Sequence, residues 1–246
     1  MSTYLVTGIT SGIGQYCAQT LLAQGHQVVS LCRTLKKAQD LFPQACAAGQ
    51  LVLIEHDFGA NGALYRTCLD ALAPYQIDGL VHCAGQTVLK RLIKTDYATT
   101  LRLIEVNFLS FSEMCRALLH LRQPEQELSL LTISSMAALR PTPATPMYAC
   151  VKGLLNHYVQ ALAYEFKDLR FSAADPLIKA QQGYLVRVNA IAPGLVATPM
   201  NNLTLEAIAT GLSTKTMLPI TAVVELALAT LSNRFITGQV LAIDNN

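Results

Sequence analysis

Thr3-Tyr4-Leu5-Val6-Thr7-Gly8-Ile9-Thr10-Ser11-Gly12-Ile13-Gly14 is the stretch that decides the fold. An apolar run of strand type passes into a glycine turn, and an amphipathic helical pattern follows at once, ending near Gly25. Glycine tolerates positive φ and lets a ligand come close to the backbone, while the free N–H groups of a helix start attract a pyrophosphate. The spacing is not the G-x-G-x-x-G form, and glycine turns also arise for packing alone. Its place in the first strand–helix unit favours a dinucleotide cradle, with Gly8, Ser11, Gly12, Ile13 and Gly14 as candidate contacts.

Working outward, short β-branched apolar runs alternate with longer helical patterns, as in a parallel sheet covered on both faces. Strands are expected at Thr3 to Thr7, Gln27 to Cys32, Gln50 to Glu55, Gly79 to Cys83, Ser129 to Ser134, Val186 to Ala192 and Gln239 to Ile243. Helices are expected at 13–24, 35–41, 60–72, 96–120, 147–167 and 221–231. The fold class is therefore α/β, a Rossmann-type doubly wound sheet of seven parallel strands, in a single domain over 1–246. Two stretches break the alternation, an insertion at 169–184 and an excursion at 195–218.

Composition narrows the function classes. Hydrophobic residues make up 52% and charged residues 14%, too apolar for a disordered chain and a hint that some apolar surface lies between subunits. A net charge of +2 with no basic stripe argues against a nucleic-acid partner. The apolar runs are too short to cross a bilayer, and the start has no signal-peptide pattern, so a cytoplasmic location is expected. The seven cysteines show neither a C-x-x-C pair nor metal-ligand spacing, so reduced thiols and no metal are expected.

At the end of the second strand, Ser30-Leu31-Cys32-Arg33-Thr34 offers no carboxylate for a ribose 2′-hydroxyl. Arg33 is placed instead for a 2′-phosphate, with Lys36 and Lys37 adding positive charge, which puts NADPH ahead of NADH. Further along, Tyr148-Ala149-Cys150-Val151-Lys152 sets a phenol and an ammonium on one helix face. The ammonium is expected to draw the phenol from about 10 toward the working pH, making it a usable proton donor. Ser135, thirteen residues before the tyrosine, is placed to hold a substrate oxygen. Strand alternation puts Ser134 and Ser135 on opposite faces without saying which meets the ligand.

The series Thr7-Gly8-x-x-x-Gly12-x-Gly14, Asp57, Ala84-Gly85, Asn107, Ser135, Tyr148, Lys152, Asn189-Ala190-Ile191-Ala192-Pro193-Gly194, Thr198 and Ile236-Thr237-Gly238-Gln239 runs nearly end to end. In it the chain resembles the compact, one-domain branch of the short-chain dehydrogenase/reductase family, and within it the 3-oxoacyl-carrier-protein reductase-like carbonyl reductases. The resemblance implies that Tyr148 is the general acid, that Lys152 binds the nicotinamide ribose and lowers the phenol pKa, and that Ser135 orients the carbonyl. It implies that Asn107 holds a water near Lys152, that Asp57 and Phe58 meet the adenine, and that Cys83, Ala84 and Gly85 line the cleft. Val196 and Thr198 would engage the carboxamide and the neighbouring phosphate region.

Two departures stand out. His82-Cys83 replaces the usual Asn-Asn, and His82 reads as a packed, hydrogen-bonded histidine rather than a base. The link from Lys167 to Val186 is about fifteen residues longer than usual. The leading expectation is an NADPH-dependent reductase of a small or apolar ketone or aldehyde, free or carrier-tethered, acting reversibly as a homodimer or homotetramer. Two alternatives stay open: a cofactor-binding regulatory or scaffold protein without turnover, and an NAD-dependent alcohol dehydrogenase.

Overall fold

The computed structural model describes residues 1–59, 64–123, 126–167, 186–202 and 216–245. Seven strands form one parallel sheet: β1 (Thr3–Thr7), β2 (Gln27–Cys32), β3 (Leu51–Glu55), β4 (Gly79–His82), β5 (Leu128–Ile133), β6 (Val186–Pro193) and β7 (Val240–Ile243). They lie in the order β3-β2-β1-β4-β5-β6-β7. The chain leaves β3 at one edge and re-enters the sheet on the other side of β1, so the crevice at the strand ends opens between β1 and β4, where such folds hold their ligands. Thr7 at the end of β1 pairs in register with His82 at the end of β4, which brings the glycine turn and the 83–85 loop side by side.

Helices α1 (Gly12–Ala23), α2 (Leu35–Leu41), α3 (Pro43–Ala47), α4 (Leu64–Leu72), α5 (Tyr97–Ile104), α6 (Ser110–Leu121), α7 (Pro146–Lys167) and α8 (Ile220–Ser232) cover the sheet. On one face Cys68, Leu72, Phe111, Met114, Leu155 and Val159 pack on Leu5, Leu31 and Leu130; on the other Cys17, Leu21, Ala38, Val224 and Ala227 pack on Val6, Val28 and Leu131. Because both faces are covered, β5 and β6 are buried along their whole length, Ser129, Thr132, Arg187 and Asn189 included.

All seven expected strands form, with ends shifted by one residue at most. The helix expected at 96–120 is interrupted by a π turn over Glu105–Leu109, which joins α5 to α6. α3 was not expected; Pro43 starts it, its fixed φ suiting a first helical position. The insertion at 169–184 lies outside the described residues, as does most of the 195–218 excursion.

Candidate active site

Three glycines hold the β1–α1 turn closed. A Cβ on Gly8 (φ +72°) would stand 2.9 Å from the Cys83 carbonyl carbon, and one on Gly14 would stand 2.6 Å from the carbonyl oxygens of Thr7 and Gly8. The first contact lets two backbones meet across the crevice; the second lets α1 seat on the strand end. Gly12 (φ +58°) abuts the Thr198 methyl group. Ser11, at the helix N-cap, is extended and makes no side-chain cap, so its hydroxyl leaves the first-turn N–H groups of α1 to an outside acceptor.

His82 answers the question raised by the missing Asn-Asn. The Thr7 hydroxyl accepts from the N–H groups of Cys83 (3.2 Å) and Ala84 (3.0 Å) and lies 3.0 Å from His82 Nδ1. On the far side His82 Nε2 is 3.1 Å from the Ser110 hydroxyl, which donates to the Val106 carbonyl at 2.7 Å. With the Ser110 proton committed to Val106, Nε2 must be the donor, and Nδ1 then accepts the Thr7 proton. Burial holds this imidazole neutral, with its pKa pushed down to about 3 and the Lys152 charge adding to the shift. It is a brace between β1, β4 and the π turn, as expected of a packed histidine.

Tyr148 and Lys152 rise from the first turns of α7, and Ser135 follows the end of β5. Ala137 N donates to a lone pair of Ser135 Oγ at 3.1 Å, and Ser135 lies near enough to Tyr148 to draw the phenol pKa down. Ser134 points the other way, is buried, and donates to the Lys152 carbonyl. Ser135 is thus the serine on the crevice side. Lys152 is 5% exposed; its ammonium donates to the Ile133 carbonyl at 2.8 Å and lies 6.0 Å from the Tyr148 ring centre.

The phenol pKa departs from expectation. Burial raises it, and the Ser135 hydrogen bond offsets only part of that rise. The ammonium is held on Ile133 and is itself desolvated, its pKa lowered to about 8. At neutral pH Tyr148 therefore keeps its proton, the state a proton donor needs.

Asn107 sits in the π turn, fully buried. Its amide donates to the Leu103 and Gln86 carbonyls, and its oxygen accepts from Gln86 N. A Cβ on Gly85 would meet Asn107 Oδ1 at 2.9 Å and Lys152 Nζ at 3.4 Å, so Gly85 leaves these two facing one space.

At the other end of the crevice Asp57 accepts from Gly59 N (3.1 Å) and Arg102 Nη2 (3.0 Å); these bonds hold its carboxyl below the usual range, and the Arg33 charge adds to them. Half-buried Phe58 packs its ring edge-to-face with His56 and His82. Val196 also buries its side chain, and its carbonyl accepts from Thr198 N and Asn201 Nδ2. Asn201 and Arg102 were not singled out in the sequence. Among the described residues no cluster could hold a metal ion, and no helix is long and apolar enough to cross a membrane.

Known proteins share this fold. The family model described as short chain dehydrogenase matches residues 2–208. A protein of Streptomyces violaceoruber, named for ketoacyl reduction in the granaticin polyketide synthase, is 29% identical over 98% of this chain and 93% of its own. The 3-oxoacyl-[acyl-carrier-protein] reductase of Bos taurus is 25% identical over 97% of this chain and 94% of its own. Among solved structures, a 4-hydroxyisoleucine dehydrogenase mutant complexed with NADH and succinate superposes with a TM-score of 0.82 at 22% identity, covering 99% of this chain and 97% of its own. ElxO with NADP bound gives 0.78 at 21%, with the same coverage. With its model matched from the glycine turn through the Tyr-Lys pair and its seven-stranded sheet in place, the chain belongs to the short-chain dehydrogenase family, oxidoreductases that use nicotinamide cofactors.

Proposed function

We propose that this protein is an NADPH-dependent reductase of ketones or aldehydes, reversible, in which one domain carries both the cofactor and the chemistry. The observation that carries the reading is the meeting of Ser135, Tyr148 and Lys152 at the mouth of a crevice floored by Gly8, Gly12 and Gly85. The residues present fit a dinucleotide. Uncapped helix N–H groups suit its pyrophosphate, and Arg33, with no carboxylate at the end of β2, suits a 2′-phosphate. The relatives' names point to 3-oxoacyl thioesters, carrier-tethered or free, as the first carbonyl class to try. The seven free cysteines suit a reducing cytoplasm.

When bound, NADPH supplies the hydride from C4 of its dihydronicotinamide. Ser135 and Tyr148 converge on the carbonyl oxygen, and Tyr148 gives it the phenolic proton as charge develops there. Lys152 has two ammonium protons beyond the one on Ile133, and these would hold the ribose hydroxyls. A water beside Lys152 would find the free lone pair of Asn107 Oδ1 across Gly85, and could return a proton to the site. Asn107 and His82 otherwise act by holding the 83–86 backbone.

The purified protein is expected to oxidise NADPH with a member of a carbonyl panel that includes a 3-oxoacyl thioester. Tyr148→Phe should lower kcat by about 10²–10⁴, the range for a lost general acid, and keep NADPH affinity. Normal turnover by this variant would remove Tyr148 from the chemistry, and tight NADPH binding with no turnover across the panel would favour a binding or scaffold protein. Arg33→Ala should cut the preference for NADPH over NADH roughly tenfold or more, one charge-assisted contact being worth about 1.5–3 kcal/mol. An unchanged ratio would return the coenzyme assignment to NAD.

A further inference from the structure

We infer that Arg102 is a positioning residue for the adenine end of the cofactor, fixing the Asp57 carboxylate so that its Oδ2 faces the adenine amino group. The inference rests on the cofactor reading above. Arg102 lies in the last turn of α5, just ahead of the π turn that holds Asn107, and it reaches Asp57, two residues beyond the end of β3.

Both hydrogen bonds made by Asp57, from Gly59 N and from Arg102 Nη2, fall on Oδ1. Among the described residues Oδ2 has no hydrogen-bond partner, so the carboxylate is oriented with one oxygen tied and the other free for an N–H donor. The exocyclic amine of adenine is such a donor. Gly59 completes the arrangement: the guanidinium lies where any side chain at 59 would point, so glycine there is what lets Arg102 cross to the carboxylate.

A structural purpose is a poor explanation for this pair. The side chains of Arg102 and Asp57 are 32% and 39% exposed, and ion pairs so placed add little to stability. What the bond does supply is direction, since an Asp side chain on an exposed loop otherwise samples several rotamers. It also links the adenine contact to the helix whose next turn carries Asn107.

The test compares wild type, Arg102→Gln, Arg102→Lys and Gly59→Ala by calorimetric titration with NADPH and with 2′,5′-ADP, which contains the adenine end alone. Arg102→Gln should weaken both about tenfold, the order of one hydrogen bond to a charged group. Gly59→Ala, which displaces the guanidinium without removing its charge, should weaken both in the same direction, and Arg102→Lys should recover part of the loss. The unfolding temperature should stay within the scatter of the wild type, and the kinetic defect should appear in KM for NADPH rather than in kcat. Asp57→Asn combined with Arg102→Gln should bind 2′,5′-ADP no more weakly than Asp57→Asn alone. Wild-type affinity for 2′,5′-ADP in Arg102→Gln, or additive losses in the double variant, would overturn the inference while leaving the cofactor reading intact. If the wild type binds neither ligand, both fall together.

Discussion

His82 stores a pH dependence in the resting fold. Its imidazole is neutral when folded, with a pKa of about 3 against an ordinary 6.5, because burial excludes the cation. Between those two values the unfolded chain binds the proton that the folded chain refuses, so stability is lost as the pH falls from about 6.5 toward 3. Replacing His82 with Gln should lower stability at pH 7 by about 1–3 kcal/mol, since Thr7 and Ser110 lose a buried partner. The same variant should show a shallower decline on acidification. Urea unfolding at several pH values between 7 and 4 reads both effects, and an equal slope in the two proteins would show that His82 does not carry this dependence. At this scale the candidate Tyr-Lys pair was legible from its i, i+4 spacing, whereas Ser135 was chosen over Ser134 only through the family resemblance. Arg102 and Asn201 were not, since an ordinary surface Arg and a loop Asn gain meaning only from partners that the fold supplies. The phenol pKa was misjudged for a related reason: four residues along a helix guarantee a shared face, but they do not reveal the Ile133 carbonyl that holds the ammonium.

Strands were the most legible elements. Short runs rich in apolar and β-branched residues, bounded by turn residues and alternating with helical patterns, marked them despite polar members such as Arg187 and Asn189 in β6. The π turn at Glu105–Leu109 left no mark of that kind. Its five residues keep a helical apolar pattern, so periodicity reads straight through them. The turn is held by side chains instead: within the helix Asn107 donates to the Leu103 carbonyl and Ser110 to the Val106 carbonyl, while Asn107 also bonds Gln86 and Ser110 meets His82. The bonds to Gln86 and His82 tie the helix to the 82–86 segment, which is why an irregular turn is tolerated next to the candidate chemistry. The helix is thus coupled through its irregular part to both ends of the crevice, to Lys152 by way of Gly85 and to Asp57 by way of Arg102.

On the scale of the molecule, the proposal of a homodimer or homotetramer rests on surface that one copy leaves uncovered. On α7, Cys150, Leu154, His157, Ala161 and Tyr164 recur at helical spacing and are all exposed, with no charged residue among them. Exposed Tyr97, Leu101 and Leu109 run along α5 and the π turn. An interior face would have packed these side chains and a fully solvated face would carry charge, so a second copy of the chain is the covering surface we propose. Light scattering on the purified protein should then return twice or four times the mass of one chain. Leu154→Glu combined with Leu101→Glu should shift that value toward a single chain, because a carboxylate at the centre of an apolar contact loses its hydration without gaining a partner. The variant surface is already exposed in one chain, so circular dichroism should show an unchanged fold. A wild type that scatters as one chain would remove the second copy from this surface, and a variant that keeps the wild-type mass would move the contact to another face.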